Sequence, residues 1–190
     1  MSLVKISGNA SGTGTLTIAA PNTNTNYTLT LPTQTGTILT NATTTGFPAG
    51  SVLQVLSTTK TNAFTTTSTS FTDVTGLSVA ITPSSATSKI LVTAAVQHSI
   101  SVTNNNVWVQ LVRDSTAIGN GTDGFGGSRA DTTSLIWCST ISYLDSPATT
   151  SSTTYKIQLK AGAGTAAVNT RASDSAFLVS SHITVMEIAV

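Results

Sequence analysis

The feature that most constrains this chain is a repeated two-residue alternation of apolar side chains with hydroxyl, amide or basic ones. Between Lys89 and Ser101 one set of alternate positions is entirely apolar apart from a histidine: Ile90, Val92, Ala94, Val96, His98 and Ile100. Side chains two residues apart share one face of a β-strand, so the pattern predicts strands with one buried face. No segment shows a convincing 3.6-residue periodicity. The sequence therefore predicts an all-β fold.

Turn-forming residues interrupt the alternating runs about every 8–12 residues, a spacing typical of an antiparallel sandwich or barrel. We expect about eight strands in two antiparallel sheets. Long strands and one glycine-rich loop favour a jelly-roll-like β-sandwich, and the chain has no Cys…Trp…Cys pattern of an immunoglobulin domain. Four apolar residues are predicted to lie in its core: Leu111, Ile141, Ile157 and Val185.

The texture of the sequence changes near Gly46–Gly50, which divides the chain into an N-terminal β arm, residues 1–46, and a sandwich or knob domain, residues 47–190. A segment as short as the arm does not enclose a core without metals, disulfides or a partner. It must therefore pack on another subunit, on the rest of its own chain or on another protein. We interpret it as an extended attachment arm whose apolar contacts are Leu16, Ile18, Tyr27, Leu29, Leu31 and Ile38.

The charge content argues against several classes of partner. Only 8% of residues are charged, the formal net charge is +1, and the eight basic residues are dispersed. Nucleic-acid binding needs clustered Lys and Arg, and membrane-surface binding needs a basic amphipathic helix. No stretch reaches the roughly 18 apolar residues of a membrane span. Lys5 is not followed by an apolar signal region, so we expect no signal peptide and synthesis in the cytoplasm.

The residues that could carry chemistry are few and scattered, so we expect no enzyme activity, no cofactor and no metal site. There are seven acids, two histidines and one cysteine. The stretch Gly119–Thr133 lacks both the acidic spacing of a calcium loop and the Gly-Lys-Ser/Thr of a phosphate loop. We interpret it as an exposed irregular loop and Cys138 as a buried thiol. Glu187 interrupts an apolar strand face, which suggests an edge or an interface.

Two loops are predicted to be exposed contact regions. One contains Asn104, Asn105 and Asn106, and the other has Phe125 at its centre. Trp108 and Trp137 lie in predicted strands and are interpreted as core or interface anchors, with stacking on a sugar as the alternative.

Several phrases of the sequence resemble bacteriophage virion proteins of the tail-fibre-like type, which are frequent in cyanophages. The N-terminal phrases are GTGTLTIAAPN (12–22), YTLTLP (27–32) and TGTILT (35–40). The body contributes FTDVTGLSVAITP (71–83), SKILV (88–92), ISYLDSP (141–147) and TVMEI (184–188). The resemblance spans nearly the whole chain. It implies a homotrimeric β structural protein on a phage particle, and the family has no catalytic residues to transfer.

The sequence leaves three roles open, the first two implied by the resemblance. The chain has no stalk-like repeat, which favours a trimeric capsid decoration (cement) protein on the virion surface. Its arm would bind the phage major capsid protein or another virion protein. A short tail-fibre or tail-tip receptor-binding protein is the alternative, and a carbohydrate-binding module that contacts a host surface glycan is the second alternative.

Overall fold

The computed structural model describes residues 11–13, 24, 47–119, 122–133 and 135–190. The predicted arm, residues 1–46, falls almost entirely outside the described residues. In the described part every regular element is a β-strand, and there are eleven: β1 (Val52–Lys60), β2 (Phe64–Thr66), β3 (Thr72–Ile81), β4 (Lys89–Ile100), β5 (Asn105–Arg113), β6 (Thr116–Ile118), β7 (Gly126–Ala130), β8 (Trp137–Asp145), β9 (Thr153–Ala161), β10 (Ala166–Val168) and β11 (Ser181–Ile188).

The strands form two antiparallel sheets. In sheet I the order is β1-β11-β4-β10-β2, and β8 pairs with the other side of β4. In sheet II the order is β3-β9-β5-β6, and β7 also pairs with β5. The sequential strands β3 and β4 lie in different sheets, so the turn between them crosses the sandwich.

The eleven strands occupy only eight positions. β11 pairs with Lys89–Ala95 and β10 with His98–Ile100, so both lie along the same side of β4. Likewise β2 continues the position of β1, and β6 and β7 share one side of β5. We number the eight positions in the order in which the chain first reaches them, from β1 to β11. Across sheet I the order of positions is then first, eighth, third and sixth, and across sheet II it is second, seventh, fourth and fifth. This double Greek-key order is that of a jelly roll, which confirms the predicted fold class.

The core lies between the inner faces of the sheets, as the alternation predicted. Leu111, Ile157 and Val185 are 0% exposed and Ile141 is 3% exposed, so all four predicted core residues are confirmed. Strand β9 shows strict alternation, with every second side chain buried from Thr153 to Ala161. Burial of this regular kind is the main stabilising contribution of a sandwich.

The glycine-rich stretch is only partly irregular, which corrects the sequence interpretation. Gly126–Ala130 forms β7 and pairs with Asn105–Val109 of β5. A Cβ on Gly127 would lie 2.2 Å from the Val107 carbonyl oxygen, so only glycine allows this close approach. Five closely spaced glycines look like a loop in the sequence because glycine is unfavourable in strands.

The position of Glu187 also differs from the expectation. It lies in β11, an interior strand between β1 and β4, and its side chain is 0% exposed. The edge or interface interpretation is therefore wrong. The described part of the chain holds no helix long and apolar enough to cross a membrane.

Candidate functional site

The predicted attachment residues lie outside the described residues: Leu16, Ile18, Tyr27, Leu29, Leu31 and Ile38. Their assignment stays a prediction. The sites considered below are those of the sandwich.

The predicted asparagine loop is shorter than expected. Asn104 is exposed in the turn before β5 and has a φ of 56°, a left-handed conformation that asparagine tolerates. Asn105 and Asn106 are half-buried and already belong to β5. The Asn105 Oδ1 accepts a hydrogen bond of 2.9 Å from the Asn106 backbone N–H. The prediction that Asn105 and Asn106 lie in a loop is therefore wrong. It arises because three consecutive polar residues are typical of a turn.

Phe125 is not an exposed loop tip, which corrects the second contact prediction. Its backbone N–H donates to the Val109 carbonyl at 2.9 Å, and its side chain is half-buried against the core. The ring meets Tyr143 edge to face, with centroids 5.5 Å apart at 75°. Such aromatic pairs stabilise a fold beyond the area they bury. The role of Phe125 is therefore packing between the two sheets.

The outward side of sheet I carries two parallel rows of side chains. The strand register aligns an apolar row across β1, β11, β4 and β8, formed by Val55, Met186, Leu91 and Leu144. Beside it runs a hydroxyl row formed by Ser57, Thr184, Thr93 and Ser142. We call these eight residues the apolar–hydroxyl face.

The apolar–hydroxyl face is exposed and almost free of charge. Val55 is 53% exposed and Leu144 is 50% exposed. In the hydroxyl row the Ser57 and Thr184 hydroxyls are 2.9 Å apart, so they hydrogen-bond to each other. Among the described residues that point outward from these four strands, Lys89 is the only Lys, Arg, Asp or Glu. Contiguous apolar area without charge is typical of the core of a protein–protein interface.

Cys138 lies on the same outward side of sheet I, opposite Gln97 of β4. Its side chain is exposed, so the prediction of a buried thiol is wrong. The reason is the strand phase: Ile141 points inward, so residues an odd number of positions away point outward.

The two tryptophans have different surroundings. Trp137 is half-buried and stacks on His98, with ring centroids 6.4 Å apart. Trp108 is half-buried on the outward side of sheet II, where the Lys160 ammonium lies 4.6 Å from its ring centroid. The same ammonium lies 4.8 Å from the ring of Phe71. This cation–π contact holds the Trp108 ring against the sheet.

His98 is a neutral structural group. It is 0% exposed, and its Nε2 lies 2.7 Å from the Ser139 hydroxyl oxygen. Burial lowers the pKa of His98 to about 4. Its Nδ1 has no hydrogen-bond partner within the described part of the chain. A histidine so enclosed has no access to a ligand from solvent.

The buried acids have structural partners. The Asp145 carboxylate accepts hydrogen bonds from Arg113 Nη1 at 2.9 and 2.7 Å, and from the Tyr155 hydroxyl at 2.7 Å. Burial and the Asp145 carboxylate together raise the pKa of Tyr155, so its hydroxyl stays protonated. In the ranges that the structure describes, no group of three or more His, Cys, Asp or Glu residues could hold a metal ion. Asp145 thus links β8 to Arg113 of β5 and Tyr155 of β9.

Comparison with known proteins gives a distant structural likeness. No protein-family model and no curated protein matches the chain. A chain of the infectious bursal virus derived T=1 particles is similar at 13% identity and a TM-score of 0.39, over 72% of this chain and 36% of that chain. A chain of the infectious bursal disease virus Gt strain is similar at 13% identity and a TM-score of 0.43, over 83% of this chain and 43% of that chain. The chain thus spans less than half the length of either, and a likeness of this size assigns it no function.

Proposed function

We propose that this protein is a structural component of a virion surface that works by self-association, and more specifically a trimeric capsid decoration protein of a bacteriophage. The resemblance of its sequence phrases to phage virion proteins supports the phage assignment. The jelly-roll sandwich is a fold used in viral capsid domains, which is consistent with the proposal by fold analogy.

The apolar–hydroxyl face is the observation that carries the self-association. An apolar row that is partly exposed, with Lys89 the only charged residue among the described ones on that side of the four strands, is costly to leave in water. Its hydroxyl row can donate and accept hydrogen bonds, so it can bond to polar groups of the neighbouring copy in a ring of three. A second copy of this chain therefore matches the face chemically, whereas a strongly charged partner would leave its own charges desolvated and unpaired.

A pair of matched charge insertions tests the face. Leu144→Glu places a carboxylate in the apolar row at an exposed position, and Ala80→Glu places one at an exposed position of β3 in sheet II. We expect light scattering after size exclusion to show a trimer for the wild type and for Ala80→Glu, and a monomer for Leu144→Glu. A monomeric wild type, or an unchanged Leu144→Glu trimer, would refute this interface.

The particle-attachment arm is tested separately, on the particle. Deletion of residues 1–46 should leave a trimer that no longer binds phage heads, because the arm is proposed to contact the major capsid protein. The number of copies per particle then separates the alternatives. Hundreds of copies support decoration, and a few dozen or fewer favour the tail-fibre or tail-tip role. Normal binding by the truncated protein would refute the arm assignment.

A further inference from the structure

A groove crosses the outward side of sheet II, on the opposite surface from the apolar–hydroxyl face. Its volume is about 590 Å³. It is lined by residues of β3, β5, β6 and β9, among them Asp73, Gln110, Val112, Ala117 and Gln158. We call it the amide groove. A depression of this size on a rigid sheet is large enough for a small ligand.

Gln110 is the unusual residue of the amide groove. It is 4% exposed, and its Oε1 has no hydrogen-bond partner among the residues that the structure describes. It faces Gln158 of β9 on one side. On the other side β7 ends its pairing at Val109 and β6 begins at Leu111, so Gln110 lies at the gap between those strands. A buried acceptor without a partner destabilises the fold, and such groups concentrate at functional sites.

The rim of the groove is polar but electrically balanced. The Asp73 carboxylate accepts hydrogen bonds of 2.7 Å from the Lys156 ammonium and 2.7 Å from the Gln158 amide. Lys156 thereby neutralises Asp73, so the groove offers no net charge to a ligand. Asp73 is exposed and Gln158 half-buried, so both can exchange their mutual hydrogen bond for bonds to a ligand in the groove.

The apolar parts of the groove lie beside these polar groups. Val112 and Ala117 contribute aliphatic surface, and the ring of Phe71 stands at one end. Planar amides and a carboxylate next to aliphatic and aromatic surface match a ligand with many hydroxyls and exposed C–H faces. Hydroxyls both donate and accept, which suits an amide oxygen that lacks a donor. An anion would find no unpaired cation in the groove.

From this arrangement we infer that the amide groove is a binding site for a neutral carbohydrate, with Gln110 Oε1 accepting a hydrogen bond from a sugar hydroxyl. The inference does not depend on the proposed virion role. It places sugar recognition on sheet II and self-association on sheet I, so both can occur in one assembly.

An NMR titration of the full chain tests the inference. The probes are the methyl glycosides of glucose, galactose, mannose and N-acetylglucosamine. Inorganic phosphate is the comparison ligand that tests for anion binding. We expect saturable shifts around Gln110 and Gln158 with at least one glycoside and none with phosphate. Saturable shifts with phosphate alone, or none with any glycoside, would overturn the inference.

Three variants make the test specific. Gln110→Leu removes the acceptor at nearly constant volume, and Ala117→Trp fills the groove from an exposed position of β6. Gln110→Leu should weaken binding by about tenfold, the ratio expected for one lost hydrogen bond, and Ala117→Trp should abolish binding by steric overlap with the ligand. Gln97→Leu makes the same exchange on sheet I and should bind like the wild type.

The stability of Gln110→Leu gives a second readout. Because the leucine removes an unpaired buried acceptor, the variant should melt no lower than the wild type while losing the sugar. If it failed to fold, Ala117→Trp would decide. Unchanged binding by Ala117→Trp would refute the groove as the site, whatever the outcome of Leu144→Glu in the assembly experiment.

Discussion

Glu187→Gln is the substitution whose effect can be worked out most fully from the structure. The carboxylate accepts hydrogen bonds from Gln54 Nε2 at 2.6 Å, the Ser84 backbone N–H at 2.7 Å and the Ser84 hydroxyl at 2.6 Å. Ser84 lies in the turn that crosses from β3 in sheet II to β4 in sheet I. Gln54 Nε2 also donates to the Thr82 carbonyl of that turn, at 2.8 Å. Glu187 thus fastens the sheet-crossing turn to β1 and β11.

The magnitude follows from those three hydrogen bonds. A glutamine at position 187 can keep its oxygen toward Ser84, but both bonds become neutral and lose about half of their strength. Its amide nitrogen then faces the Gln54 amide, so one contact is lost unless Gln54 rotates and gives up Thr82. At about 1–3 kcal/mol for each hydrogen bond to the charge, the two weakened bonds cost about 1–3 kcal/mol together and the lost bond about 1–3 kcal/mol. The expected loss in the free energy of unfolding is therefore about 2–6 kcal/mol.

Urea denaturation at a fixed protein concentration measures this loss, and its pH dependence checks the cause. Burial raises the pKa of Glu187, but the hydrogen bonds, chiefly those from Ser84 and Gln54, outweigh burial and hold the pKa below its ordinary value. A lowered carboxyl pKa stabilises the fold above the ordinary pKa, and this contribution is lost as the pH falls through the lowered one. The gap between wild type and variant should therefore narrow in acid.

Asp73→Asn is the matched control, because Asp73 is exposed and such ion pairs contribute less than about 1 kcal/mol. If Glu187→Gln at neutral pH cost no more than Asp73→Asn, or if the gap did not change with pH, the anchoring role of Glu187 would be wrong.

Three further outcomes are expected. Ile157→Ala should lower the free energy of unfolding by about 2–5 kcal/mol in urea, because Ile157 is 0% exposed between the sheets; an unchanged midpoint would contradict the core assignment. The wild type should lose stability as the pH falls from 6.5 toward about 4, because the unfolded chain protonates His98 before the folded chain does. His98→Leu should flatten that slope in pH-dependent melting, and an equally steep slope would assign it to other groups. Gly124→Ala should lower the free energy of unfolding by about 1–3 kcal/mol, because the φ of Gly124 is +70° and a Cβ there would lie 2.4 Å from the Val109 carbonyl oxygen. Gly126→Ala is the control: a Cβ there would meet nothing within 4 Å, so the melting temperature should stay nearly unchanged.

The strand faces could be predicted from the sequence because alternation reports directly on which side of a strand is buried. In β4 and β9 the predicted inward residues are the buried ones. The pairing of strands could not be predicted, because neighbours in a jelly roll come from distant parts of the chain. Glu187 shows the consequence: the sequence placed it on an apolar strand face but gave that face the wrong surroundings, because its partners, Ser84 and Gln54, lie 103 and 133 residues away in the chain.

The apolar–hydroxyl face and the amide groove were missed for the same reason. Leu91 and Thr93 are visible as the second face of β4, but their alignment with Met186 and Leu144 requires the register of three strands. Gln110 is one of several polar residues in β5, and the gap beside it exists only because β6 and β7 stop short of each other. Composition suggested instead that the contact surface lies in the asparagine and glycine loops. In the structure, much of those two segments belongs to β5 and β7.

Because β10 and β11 lie along the same side of β4, the segment between them can change in length while the sandwich stays the same. The chain leaves that position after Val168 and returns at Ser181. The excursion is closed at its base, since Asn169 N–H donates to Gln97 O at 2.9 Å and Val179 N–H donates to Asn169 O at 3.0 Å. Beyond this closure lie Phe177 and Leu178, which are 67% and 72% exposed. Extra residues inserted between Phe177 and Leu178 would lengthen this surface loop without shifting either strand, which makes that point a natural place to display a foreign peptide.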